Sequence, residues 1–279
     1  MIDFIYETLL LLPFLFATYL VLEAIEAKTG SALESFLGRA RSVGPAVGAL
    51  AGMVPQCGVS AAAASFYAGG VITVGTLLAV FLSTSDELLP VLLSERVPIP
   101  LMAKIVGVKA LCALGVGFVV DGVLAAAKHM RRTVSVQELC EHSRCGCHEH
   151  KGILVPALIH TIEIFVFIVV ISGVIELCMH WFGEDCLKAL QLNRPFLGEL
   201  VAAAVGLVPN CAVSVAGAKL YLSGAMSFGA LMASSFAGSG VGLLVLFRTN
   251  RNLKENLTIL LVVYVVGVLL GVGSNFLWG

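Results

Sequence analysis

A nine-residue stretch that occurs twice constrains this chain more than any other feature. Residues 52–60 read Gly-Met-Val-Pro-Gln-Cys-Gly-Val-Ser, and residues 206–214 read Gly-Leu-Val-Pro-Asn-Cys-Ala-Val-Ser, an offset of 154. The register continues without a gap, since Tyr67 falls on Tyr221 and the match extends as far as Ser239. A register kept over such a length indicates an internal repeat. The chain is therefore expected to fold as two equivalent halves.

The composition places both halves in a membrane. Of the 279 residues, 58% are hydrophobic and 13% are charged, whereas soluble domains carry about 25% charged residues. A chain with so few charges cannot cover its surface in water, so an integral membrane protein surrounded by lipid is predicted. The net charge of -1 gives no basis for a nucleic-acid partner. The first apolar segment contains Glu7 and lacks a basic leader, which favours a retained transmembrane helix over a signal peptide.

Eight apolar segments approach the roughly 20 residues that cross a hydrocarbon core, four in each half. They run over 4–24, 43–68, 71–93, 100–127, 153–179, 196–222, 225–247 and 256–278. The predicted organisation is an N-terminal transmembrane repeat at 1–127, a Cys/His-rich linker at 128–152, and a C-terminal transmembrane repeat at 153–279.

The distribution of Lys and Arg among the loops predicts how these segments are arranged, because cytoplasmic loops collect such residues. If every segment crosses, nine loop Lys and Arg residues lie outside and five inside; if one middle segment per half enters and leaves on the same side, eleven lie inside and three outside. Each half then crosses an odd number of times. The predicted fold class is an all-α integral membrane protein with two inverted-topology repeats, each with a re-entrant or broken helical hairpin, and about 8–10 membrane segments. The linker is placed in the cytoplasm and both termini outside.

Two kinds of sequence signal mark the breaks. Pro55 and Pro209 lie near the centres of the second and sixth segments, where proline removes a backbone donor and clashes with the preceding turn. Ser-Thr-Ser-Asp-Glu at 83–87 competes with helical hydrogen bonding, and Ala-Gly-Ser-Gly-Val at 237–241 disfavours a helix. We expect the four breaks to converge between the halves, as the broken helices of secondary transporters do.

Four stretches carry a resemblance to a known family: Met-Val-Pro-Gln-Cys-Gly-Val-Ser, Ser-Thr-Ser-Asp-Glu, Leu-Val-Pro-Asn-Cys-Ala-Val-Ser, and Gly240 to Asn256 ending in Arg-Asn-Leu-Lys-Glu-Asn. The chain resembles bacterial permeases known as ten-helix heavy-metal exporters, also labelled arsenic efflux proteins or manganese transporters. It is more distantly similar to organoarsenical permeases, which carry proline–cysteine motifs in paired halves. The resemblance covers nearly the whole chain and implies a multi-pass exporter in the bacterial inner membrane.

The two Pro-(Gln/Asn)-Cys tips are the predicted substrate site. Cys57 and Cys211 offer soft sulfur, which favours soft cations or arsenic(III), whereas the neighbouring oxygens suit Mn²⁺. The alternative is that both thiols pack a tight turn. The candidate substrate-binding residues are Gln56, Cys57, Ser60, Ser85, Asp86, Asn210, Cys211, Ser214 and Ser239.

Charged residues inside the apolar segments are candidate coupling and gating groups, because a charge at bilayer depth costs about 2.5–3.5 kcal/mol even on the mildest scale. Asp86 is replaced by Gly240 in the second half, and Lys219 replaces Ser65 of the first. This asymmetry suggests that Asp86 and Lys219 pair across the halves; a lysine that reaches the interface is the alternative.

Three further acidic or imidazole groups, Glu87, His160 and Glu163, belong to this set. His160 and Glu163 lie three residues apart on one helical face as a candidate metal or proton pair; a position at a solvated mouth near the cytoplasmic boundary is the alternative. Glu199, inside the second hairpin, is a candidate for gating or for lining the outer vestibule.

The linker contains six candidate nitrogen and sulfur ligands within eleven residues, but no zinc-finger spacing. They are Cys140, His142, Cys145, Cys147, His148 and His150. A flexible cytosolic segment that captures metal is predicted; an incidental linker composition is the alternative.

The function predicted from these residues is secondary transport, most simply export of a heavy metal, an arsenical or Mn²⁺, driven by H⁺ or Na⁺. No nucleotide-binding motif or catalytic triad is found in the sequence, so no enzymatic activity and no cofactor are expected. The alternatives are a transporter of a small organic solute and, less well supported, a membrane enzyme acting on a lipid-linked substrate. A second copy of the chain is a candidate homodimer partner.

Overall fold

The computed structural model describes residues 12–13, 16–17, 19–20, 43–54, 57–85, 88–94, 97–126, 158–159, 161–167, 169–170, 173–174, 196–209 and 211–278. All regular structure in these ranges is helical, as the predicted fold class requires.

Within the described ranges 43–126 and 196–278, ten helices repeat as two sets of five. The first half contains α1 (Val43–Gly52), α2 (Cys57–Ala68), α3 (Val74–Ser83), α4 (Leu88–Ser94) and α5 (Ile99–Ala126). The second half contains α6 (Leu197–Gly206), α7 (Cys211–Leu222), α8 (Phe228–Ala237), α9 (Gly242–Thr249) and α10 (Leu253–Trp278). Each helix of the second set begins 154 residues after its equivalent, so the offset read from the sequence is also the offset of the helices.

The helices are interrupted where the sequence predicts. The prolines separate α1 from α2 and α6 from α7, and the polar or glycine-rich runs separate α3 from α4 and α8 from α9. The turns before α3 and α8 are also equivalent. Gly70 (φ 71°) and Gly224 (φ 76°) adopt the left-handed conformation that glycine tolerates, and Thr73 and Ser227 cap the helix that follows through their side chains.

Three glycines spaced four residues apart bring α1 against α3. A Cβ atom added to Gly44 would lie 2.2 Å from Thr76 Oγ1, and one added to Gly52 would lie 2.0 Å from Ser83 Oγ; Gly48 lies between them against Thr76 and Val80. Small residues at this spacing let membrane helices approach closely. Contacts advance together along both helices, so α1 and α3 are parallel, and α2 carries the chain back between them.

The second half packs in the same way. A Cβ atom added to Gly206 would lie 2.3 Å from the Ser234 carbonyl oxygen. Val80, which lies against Gly52, is the residue equivalent to Ser234. Thus α6 packs closely against α8, as α1 does against α3.

The long helices lie at the periphery. In the part of the chain that the structure describes, three stretches are long and apolar enough to cross a membrane: Ile99–Ala126, Phe228–Thr249 and Leu253–Leu277. The most apolar window is 72% buried in Phe228–Thr249 but only 22% and 28% buried in the other two. The exposed face of α10 carries Leu257, Leu261, Val265 and Leu269 at a four-residue spacing. Such apolar outer faces fit a lipid environment and a multi-pass membrane protein.

The halves are interlocked at the breaks. Helix α2 of the first half packs along α9 of the second, and α7 of the second contacts α4 of the first. The approach is close at Gly242, where an added Cβ atom would lie 2.8 Å from the Cβ atom of Ser60. The helix that follows each proline therefore lies beside the second part of the broken helix of the other half.

Candidate functional site

Lys109 links the two halves at their breaks. It lies within α5 and is fully buried. Its Nζ donates a hydrogen bond to the carbonyl oxygen of Thr84, the residue that ends α3. The same atom donates to the Ser235 carbonyl oxygen at 2.8 Å and to Ser235 Oγ at 2.7 Å, in the last turn of α8. The ring of Phe236 is centred 5.9 Å from Nζ.

The position of this ammonium group has an electrostatic reason. The last carbonyl groups of a helix lack partners within the helix, and the helix dipole places about half a negative charge at that end. The C-terminal ends of α3 and α8 both lie against Lys109 Nζ. The place where they meet therefore favours a cation, and Lys109 supplies one in this structure.

The hydroxyl groups next to Lys109 are mostly turned back onto α3. Ser83 Oγ donates to the Ala79 carbonyl oxygen at 2.8 Å, and Thr84 Oγ1 donates to the Val80 carbonyl oxygen at 2.7 Å. Ser85, a predicted substrate ligand, is buried and its Oγ donates to the Ser83 carbonyl oxygen at 3.3 Å.

Ser239 occupies the equivalent break of the second half. It is 1% exposed, and its Oγ has no hydrogen-bond partner among the residues that the structure describes. A buried hydroxyl without a partner is unfavourable by about 1–3 kcal/mol. Ser239 Oγ therefore has unused hydrogen-bonding capacity at the break, and its role in substrate binding stays a prediction.

The predicted residues of the two tips are described in part. Ser60 is fully buried beside Gly242, whereas Ser214 is partly exposed. The backbones of Cys57 and Cys211 begin α2 and α7, but their side chains lie outside the described residues. The other predicted residues outside the description are Gln56, Asp86, Glu87, Asn210, His160, Cys140, His142, Cys145, Cys147, His148 and His150.

Two predicted coupling residues lie away from Lys109. Lys219 is in the last turn of α7 and is exposed. Glu163 forms an ion pair with Arg248 at the end of α9, and these side chains are 38% and 42% exposed. The Arg248 guanidinium is 5.8 Å from the centre of the Phe167 ring. The described partner of Glu163 is thus a cation at the protein surface.

The sequence prediction missed Lys109. It is absent from the predicted site residues, although a lysine inside the apolar segment 100–127 is the kind of charge that marks function at membrane depth. Its described acceptors include two backbone carbonyls, which no residue pattern identifies. Among the described residues, no three His, Cys, Asp or Glu side chains form a group able to hold a metal ion.

Comparison with known proteins gives one match. The family model ArsP_2, whose description is "Putative, 10TM heavy-metal exporter", matches residues 11–198. Neither a curated protein nor a solved structure matches the chain.

Proposed function

Because the chain belongs to the family of 10TM heavy-metal exporters, we propose that it is a secondary active transporter that exports a metal or metalloid ion by alternating access around its paired Pro-Gln/Asn-Cys tips. The substrate class is a heavy metal, an arsenical or Mn²⁺. The membrane is the bacterial inner membrane, with the linker in the cytoplasm and both termini outside.

The helix lengths support this mechanism. At about 1.5 Å per residue, the ten residues of α1 or α6 rise about 15 Å, which is half of a hydrocarbon core of roughly 30 Å. Hairpins of this length would enter from opposite sides in two inverted repeats and end near the midplane. Irregular backbone is tolerated there only if protein or water surrounds it, and the interlocked halves supply that surrounding.

The observation that carries the proposal is the bridge made by Lys109. A buried cation that bonds to a helix end from each half lies where two rocking repeats would share a site. We infer that the meeting point of the C-terminal ends of α3 and α8 is the cation-binding region. Lys109 would hold it between transport events, and Ser239, Asp86 and the two tip thiols would bind the arriving ion.

Other parts of the chain take supporting roles in this proposal. The linker cysteines and histidines would collect metal on the cytoplasmic side before export. An H⁺ or Na⁺ gradient would drive the exchange.

The decisive experiment is flux into inside-out proteoliposomes containing the purified protein. The panel is Mn²⁺, Zn²⁺, Cd²⁺, arsenite and methylarsenite, each tested with an imposed pH gradient and with a Na⁺ gradient. The wild type is compared with the Cys57→Ser/Cys211→Ser double variant and with Cys112→Ser, a matched thiol change in α5.

Uptake of at least one member of the panel by the wild type and by Cys112→Ser, with loss in the double variant, is the expected result. Uptake that survives the double substitution would assign the thiols to packing and leave oxygen ligands as the binding set. If no member of the panel moves under either gradient, export of a metal or metalloid ion is wrong.

A further inference from the structure

A second buried charged residue, Glu199, is unlike Lys109 because its charge has no described partner. Glu199 lies in the first turn of α6 and is 1% exposed. Neither carboxylate oxygen accepts or donates a hydrogen bond among the residues that the structure describes. An ionised carboxylate buried without partners is unfavourable by several kcal/mol. A proton bound by the carboxyl group would remove that cost.

The side chain points at the beginning of α8. A Cβ atom added to Gly229 would lie 2.7 Å from Glu199 Oε1, and 2.5 Å from the Cβ atom of Asn275 near the end of α10. Glycine at this position makes the space that the carboxyl group occupies. The first backbone N–H groups of a helix lack partners within the helix, and the dipole favours a negative charge there.

The first half shows how a carboxyl group with hydrogen-bond partners fits the equivalent place. Asp121 of α5 accepts a hydrogen bond from the Gly75 backbone N–H at 2.9 Å and from Thr73 Oγ1 at 2.6 Å. Gly75 is the residue equivalent to Gly229, and Asp121 is equivalent to Asn275. The long helix of the second half has no carboxyl group at this position. Glu199 supplies one from α6, where the first half has Pro45.

The helices packed on α6 bring no compensating charge. Helix α8 contains no ionisable residue, and α7 contributes Lys219, which is exposed. Tyr264 of α10 donates a hydrogen bond to the Leu200 carbonyl oxygen at 3.3 Å. Lys254 and Glu255 lie at the opposite end of α10, about 30 Å from Asn275 along the helix.

We propose that Glu199 is a proton-binding site, and that it carries the coupling proton of the transporter. In the described conformation the carboxyl group holds the proton. When α6 moves relative to α8, the proton leaves to the adjacent aqueous side, and the carboxylate accepts hydrogen bonds from the first N–H groups of α8, as Asp121 does at α3. The coupling role of this proton rests on the proposed function. Proton binding by Glu199 does not, because it can be tested on the protein alone.

Two measurements test the proposal in the full-length protein. The first is infrared spectroscopy of the detergent-solubilised protein at neutral pH, which detects the carbonyl stretch of a protonated carboxylic acid. The band is expected in the wild type, absent in Glu199→Gln, and retained in the matched variant Asp121→Asn, which removes the hydrogen-bonded carboxyl group of the equivalent place. A wild-type spectrum without the band, or a band that persists in Glu199→Gln, overturns the proposal.

The second measurement separates coupling from substrate binding. Glu199→Gln is expected to lose accumulation driven by a pH gradient by at least tenfold but to keep substrate counterflow, which requires no net proton movement; Glu199→Asp is expected to keep both in part. Full gradient-driven accumulation in Glu199→Gln would refute the coupling role. Loss of counterflow as well would show that Glu199 serves substrate binding or folding instead. A wild type that moves no substrate would refute the proposed function, while the infrared result would still decide the proton site.

Discussion

The two halves of the molecule share a backbone but differ in where they place charge. Five helices recur at a constant offset, with the same glycine turns and the same caps. Lys109, fully buried, corresponds to Val263, which is also fully buried. The carboxylate at the start of the third helix comes from Asp121 of α5 in the first half. In the second half it comes from Glu199 of α6.

This difference shows that the close packing of the helices is repeated in the two halves, whereas the charged groups are not. Packing through small residues requires the same shape in each half, so the glycines recur. A cation at the meeting point of two helix ends is required only once, because Lys109 reaches both ends. Two identical halves would place two like charges at one buried point, which is strongly unfavourable. The asymmetry is therefore expected wherever both halves contribute to one shared site.

The largest effect is expected when the cation of the first half is removed. Lys109→Met leaves two helix ends facing each other without their ammonium group. A hydrogen bond to a charged group contributes about 1.5–3 kcal/mol, and 1.4 kcal/mol corresponds to tenfold. We expect the flux of the transported ion to fall by roughly tenfold to a hundredfold in proteoliposomes.

The matched control is Val263→Ala at the equivalent position. It removes packing but no charge. Flux per folded molecule should therefore remain within about twofold of the wild type, which corresponds to a free-energy change smaller than the 1.4 kcal/mol of a tenfold change. Equal loss of flux in both variants would mean that Lys109 acts through packing. The difference in charge between Lys109 and Val263 would then have no role in transport.

The close helix approaches should be equally sensitive in the two halves. Gly52→Ala brings a methyl group to 2.7 Å from the Val80 carbonyl oxygen, and Gly206→Ala brings one to 2.3 Å from that of Ser234. Overpacking of this kind destabilises by about 1–3 kcal/mol. Both variants should lower the thermal midpoint in detergent. Gly107→Ala, where no atom lies within 4 Å, should not. A large effect in one half alone would show that the packing is not equivalent.

Much of the scaffold could be predicted from the sequence, because a repeat with constant register fixes which helices are equivalent. Pro55 and Pro209 marked two interruptions, and the runs at 83–87 and 237–241 marked the other two, as the structure shows. The close approach at Gly52 and Gly206 could also be predicted, since glycine lets membrane helices approach each other closely.

The contacts between the halves could not be predicted in the same way. A repeat states which residues correspond but not which residues touch, so the pairing of α2 with α9 had no signal in the sequence. The site of Lys109 depends on the carbonyl oxygens of Thr84 and Ser235, and every residue has a carbonyl oxygen. Lys109 itself could have been found as a lone charge in an apolar helix, but its partners could not.

Two single substitutions, Asp121→Asn and Asn275→Asp, test the two carboxylate arrangements directly. Asp121→Asn removes the charge that accepts two hydrogen bonds at the start of α3. It should lower the free energy of unfolding by about 1 kcal/mol. Asn275→Asp places a second carboxyl group beside Glu199, so two like charges would share one buried place and the protein should be less stable. Thermal midpoints measured in detergent check both expectations. An Asn275→Asp midpoint equal to that of the wild type would place the two carboxyl groups too far apart to interact.

The smallest effect is expected at the ion pair of Glu163 and Arg248. Both side chains are more than a third exposed, and exposed pairs contribute about 0–1 kcal/mol. Glu163→Gln should therefore change the thermal midpoint little, and the change should shrink further at high salt. Flux should stay within about twofold of the wild type. The free energy lost with so weak a pair is smaller than the 1.4 kcal/mol that corresponds to a tenfold change. A tenfold loss of flux in Glu163→Gln with an unchanged midpoint would instead assign Glu163 to coupling. Transport would then depend on a charged side chain of the second half as well as on Lys109 of the first half.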